Sequence, residues 1–146
     1  MRDTEVTEIW NKLLTKPIQM MTEQERIVHA VNVFLVEFEL GGWLYNLAPD
    51  ASESQQSWAG LRGVAAAVAT IGASSVAERL TEIAAIVERA PPQPTSGTWK
   101  HFLEGVDPQR RISGLEREIG AELNVMYGLL EAYTLAQLTN PASGDQ

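Results

Sequence analysis

Apolar residues recur through this chain at the spacing of amphipathic helices, and short turn signals separate the runs. Val6, Ile9, Trp10, Leu13 and Leu14 share one stripe, which predicts a first helix from about Thr4 to Leu14. Asp3 or Thr4 can cap it, and Pro17 follows its end. Thr22 and Glu25 have the spacing of a capping box, in which each side chain satisfies an otherwise orphaned backbone N–H. The helix they open carries Ile27, Val31, Phe34, Leu35 and Phe38 on one face. Gly41-Gly42 stops it, because glycine reaches the left-handed conformation of a helix end without a Cβ clash.

Trp43 to Gln56 contains Pro49, Asp50 and serines and reads as a turn-rich connection. A third helix is predicted from about Gln55 to Thr70, with Trp58, Leu61, Ala65 and Val68, and Ile71-Gly72-Ala73 breaks it. Ser75 and Glu78 repeat the capping-box spacing and precede the stripe of a fourth helix, Val76, Leu80, Ile83, Ala84 and Val87, which ends by Pro91-Pro92. Residues 90–97 are the strongest loop signal, too short to separate independent domains, and Trp99, Phe102 and Leu103 predict one further helical turn. Asp107-Pro108 can start the last helix as cap and first residue, or Ser113 with Glu116 can start it later. Leu115, Ile119, Leu123, Met126, Leu130 and Tyr133 then recur at steps of four, four, three, four and three, as far as Leu138 before Asn140-Pro141. No segment alternates like a strand, and no internal repeat occurs. The expectation is an all-α, single-domain bundle of about five or six helices over residues 1–139, with a long C-terminal helix. Residues 140–146 are expected to be a disordered tail.

Composition narrows the possibilities. A chain of 146 residues with 45% apolar and 21% charged residues can bury its own core. It contains no cysteine, which excludes disulfides, thiolate metal sites and cysteine nucleophiles. The start, Met1-Arg2-Asp3-Thr4-Glu5, lacks the apolar core of a signal peptide, and Gly63 to Ala73 is far short of a membrane span. A cytoplasmic protein without membrane association is therefore expected. The net charge of -8 repels phosphates and argues against direct nucleic-acid binding. Residues 1–53 carry nine acids against four bases, which suits ordinary solubility or a face that attracts a basic partner.

Glu37 and Glu39 lie in the last turn of their helix, where the macrodipole disfavours negative charge. Two readings follow. One carboxylate accepts backbone N–H groups of the Gly42 to Asn46 turn or pairs with an arginine such as Arg62, or these acids contact a partner or ligand. Trp43 and Tyr45 are expected to anchor the connection onto the core. His29 and His101 are expected at the surface; Glu25 and His29 stand four apart, but two ligands do not make a metal site. Ser74, Ser75 and Ser113 fall at helix starts without a G-x-S-x-G elbow, and the glycines lack a phosphate-loop Lys-Ser/Thr. No cofactor and no enzymatic constellation is expected.

The helix end Glu37-Phe38-Glu39-Leu40-Gly41-Gly42-Trp43-Leu44-Tyr45-Asn46 places an acid four residues before a Gly-Gly pair, then an aromatic and an Asn. This resembles the signature of a bacterial domain-of-unknown-function family that includes an acidic DNA-mimic protein. Ala67-Val68-Ala69-Thr70-Ile71-Gly72-Ala73 resembles a helix junction of that family, and Leu115 to Tyr133, with Leu129-Leu130-Glu131-Ala132-Tyr133, resembles its last helix. The similarity spans roughly residues 20 to 135. Family members often carry polar amides before the Gly-Gly pair, where this chain has Glu39 and Leu40. The resemblance implies an all-helical fold and, for at least one member, imitation of DNA by an acidic surface. Carboxylates three or four positions apart on a helix approach the spacing of phosphates, as do Glu5 with Glu8 and Glu118 with Glu122. Bases interrupt both helices (Lys12, Lys16, Arg110, Arg111, Arg117). The resulting expectation is a non-catalytic protein-binding regulator whose partner is a basic DNA-binding protein, with Glu37, Glu39, Gly41, Gly42, Trp43, Tyr45 and Asn46 as the candidate contact motif; a homodimer is also compatible. The alternative is a small-ligand-binding or enzymatic helical domain with a pocket near the Gly41-Gly42 turn.

Overall fold

A computed structural model describes residues 4–41, 60–88 and 107–139. These residues form six α-helices and one 3-10 turn and contain no strand: α1 (Thr4–Thr15), the 3-10 turn Ile18–Met20, α2 (Glu23–Leu40), α3 (Gly60–Thr70), α4 (Ser74–Val87), α5 (Arg111–Gly120) and α6 (Leu123–Leu138). The all-α expectation is met. The expected helical turn at Trp99 to Leu103, the Trp43 to Gln56 connection and the tail after Thr139 lie outside the described residues. None of the described helices is long and apolar enough to cross a membrane.

The capping box at the start of α2 forms as its spacing predicts. The Glu25 N–H donates to Thr22 Oγ1 at 3.1 Å, and the Thr22 N–H donates to Glu25 Oε1 at 2.9 Å. Lys16 Nζ adds bonds of 2.8 and 3.0 Å to the same carboxylate, tying the end of α1 to the start of α2. Burial alone would raise the Glu25 pKa, but the Lys16 and Thr22 hydrogen bonds outweigh it and hold the carboxyl below its ordinary 4.5. At the other end Gly41 stands at φ 93°, its N–H directed at the Glu37 and Phe38 carbonyls. The α3–α4 break is a Schellman ending: Gly72 at φ 104° donates to Ala69 O, and Ala73 donates to Val68 O.

Burial places α2 at the centre. Val28, Ala30, Val31, Asn32, Phe34 and Leu35 are all buried, a wider set than the single predicted face. Packing against α1, α3 and α6 requires this, because a helix with neighbours on several sides hides more than one stripe. Val36 and Leu40 stay outside, 43% and 77% exposed. Tyr127, near the start of α6, bonds Glu39 at the end of α2, while Glu23 at the other end of α2 acts on Tyr133, so α2 and α6 run antiparallel. Arg62 at the start of α3 grips Glu88 after α4, which makes those two helices an antiparallel hairpin. On α1 the predicted Val6, Trp10 and Leu13 are buried, whereas Leu14 turns to solvent at 53% exposure.

The first and last helices meet through a buried hydrogen bond. Trp10 Nε1 donates to Thr134 Oγ1 at 3.0 Å across 124 residues of sequence. Thr134, wholly buried, donates its own hydroxyl proton to Leu130 O at 2.7 Å, so the hydroxyl is satisfied as acceptor and as donor. The Trp10 ring also lies 6.5 Å from that of Tyr127.

Three boundaries differ from expectation. The predicted long C-terminal helix is divided at Ala121–Glu122 into α5 and α6. Its apolar recurrence did not reveal the break, because the backbone turns on through Glu122 N–H to Ile119 O and Met126 N–H to Glu122 O, keeping the stripe in phase. The start of α5 falls at Arg111 instead of Pro108 or Ser113, with Arg110 instead of Asp107 at the cap position, although the Asp107 carboxylate accepts the Arg111 and Ile112 N–H groups at 2.7 and 2.8 Å from before the helix. Arg110 takes φ 58° to make that turn. Ser75 is not the cap of α4. The helix begins one residue earlier, and the Ser75 hydroxyl donates to Glu122 instead.

Thr134→Val keeps the shape but leaves the buried Trp10 N–H without an acceptor; urea denaturation should show a loss of about 1–3 kcal/mol, with Thr134→Ser recovering most of it. The space around Gly41 and Gly128 is open to a Cβ in both cases. Backbone conformation alone then sets the sign: Gly41→Ala should cost about 1–2 kcal/mol, and Gly128→Ala within α6 should gain about 0.5–1 kcal/mol. Equal effects at the two positions in the same denaturation series would contradict this account.

Candidate functional site

Of the candidate motif, Glu37, Glu39 and Gly41 fall within the described residues; Gly42, Trp43, Tyr45 and Asn46 lie outside them. Glu37 is half-buried and Glu39 exposed. The Tyr127 hydroxyl donates to Glu39 Oε1 at 2.5 Å, so α6 supplies the compensation that a carboxylate at a helix C-terminus requires. Sequence reasoning missed Tyr127, which stands 88 residues away. Its only signal was a polar tip beside an apolar stripe. The suggested partner Arg62 is engaged elsewhere: its guanidinium binds both oxygens of Glu88, at 2.7 and 2.9 Å.

The principal charged cluster lies on α4 and α5. Arg79 reaches Glu118 at 2.6 Å and Glu122 at 2.7 Å, and Arg111 holds Glu82 at 2.6 Å. Hydrogen bonds from Arg111 keep the Glu82 carboxyl below its ordinary pKa, and those from Arg62 do the same for Glu88. Glu118 and Glu122 therefore do not stand as a bare pair of negative charges, contrary to the phosphate-like reading of their spacing. Glu5 and Glu8, the other such pair, are both exposed on α1. Among the described residues Glu8, Glu23 and Glu78 are exposed and form no ion pair.

His29 departs from the surface role expected of it. It is half-buried on α2, and its Nδ1 is enclosed without a hydrogen-bond partner. Burial pushes its pKa below the ordinary 6.5. Glu25, four residues earlier, is committed to Lys16 and the Thr22 cap. Among the described residues no three potential metal ligands come together.

Two open grooves mark the described surface. One, of about 510 Å³, runs between α3 and α4 over Ala65, Ala69 and Ala77, with Arg62 and Glu78 along it. The other, of about 330 Å³, lies between Glu82 and Ile86 of α4 and the Asp107 turn. Neither is lined by Glu37, Glu39 or His29. The larger groove has an alanine floor, with the polar side chains of Arg62, Ser74, Glu78 and Thr81 along it.

Comparison with known protein families, with curated proteins and with solved structures finds no match to this chain.

Two measurements probe these charges. The folded state holds His29 below pKa 6.5 and so favours its neutral form. Stability should be flat in pH above about 6.5 and fall as pH drops from there toward the folded pKa. His29→Leu should flatten the urea midpoint between pH 5 and pH 6.5, and an unchanged slope would count against the buried imidazole as its cause. Arg79→Ala should lower stability at low salt, and the difference should shrink at high salt as the surrounding charges are screened.

Proposed function

We propose that this chain is a non-catalytic, cytoplasmic protein-binding regulator that presents acidic surface to a basic partner, in the manner of a DNA mimic. The observation that carries the reading is the uncompensated charge. The chain has a net charge of -8, and Lys16, Arg62, Arg79 and Arg111 are already bound to carboxylates of the same molecule. Paired charges cancel at a distance, so the field that reaches a partner is set by the surplus acids.

Glu8, Glu23 and Glu78 are exposed and form no ion pair among the described residues. Glu5 and Glu8 are exposed one turn apart, at a separation comparable to that of neighbouring phosphates. The Glu118–Glu122 end of the molecule contributes less, because Arg79 spans it. The sequence resemblance to a family with a DNA-mimic member points the same way. A partner recognised like this is a protein whose DNA-binding surface is rich in Lys and Arg, and its association should be steered by charge and weakened by salt.

Affinity capture from the native cytoplasm, run at low and high salt and eluted with duplex DNA, tests the proposal. The expected partner is a DNA-binding protein that is held at low salt, lost at high salt and displaced by the duplex. Glu8→Gln combined with Glu78→Gln should weaken its capture several-fold while leaving the unfolding midpoint nearly unchanged. A partner that ignores both salt and duplex DNA would falsify the mimic reading.

A further inference from the structure

We draw no further inference here: the strongest candidate, the partly exposed apolar stripe of Val33, Val36 and Leu40 on the outer face of α2, carries no proposal because nothing in the structure shows what covers it.

Discussion

The rest of the bundle depends on α2 being buried on most of its circumference. Phe34 and Leu35 are fully enclosed, and α1, α3 and α6 each pack against this helix. The middle of α2 is enclosed while both ends reach solvent, and the chain nevertheless satisfies the backbone groups of each end itself. Thr22 and Glu25 do this at one end, and Gly41 directs its N–H back into the last turn at the other. Lys16 then binds the capping glutamate and fixes where α1 leaves off. The local chemistry of the two ends and the global arrangement thus support each other, which is the consistency expected of a sequence with one preferred fold.

Much of this architecture can be read from the residues. Thr22-x-x-Glu25, Gly41 and Gly72 carry short-range signals whose geometry is local, and each forms as its chemistry requires. The features that escaped are those decided by tertiary partners. A three-residue spacing between Ser75 and Glu78 is compatible with a cap, but Glu122 lies close enough to take the Ser75 hydroxyl. The α5–α6 break preserves the helical phase of the apolar residues, so periodicity is blind to it; Gly120 in the middle of the stripe was the only local trace. Leu14 fits its stripe by spacing and yet faces solvent, because none of the described helices packs over that edge of α1.

The candidate site was less legible, for the same physical reason. The Glu37 and Glu39 positions are conspicuous because negative charge at a helix C-terminus needs compensation. Nothing in the sequence says that compensation arrives from Tyr127 instead of Arg62, since both lie far away along the chain. Arg62 is drawn to Glu88 by the antiparallel pairing of α3 and α4, which brings the start of one helix to the end of the other. The spacing of Glu118 and Glu122 was readable, but their neutralisation by Arg79 on another helix was not. Carboxylate spacing along one helix states what a surface could present; packing decides what it does present.

The Trp10–Thr134 bond has a consequence for how the molecule comes apart. Terminal helices of small bundles ordinarily fray ahead of the core, because few contacts hold them. Here, the first helix cannot peel away without stripping the indole of its acceptor and opening the space beside Tyr127 on the last helix. The beginning and the end of the described chain are therefore joined into one cooperative unit, and α1 and α6 share a common fate when the bundle opens.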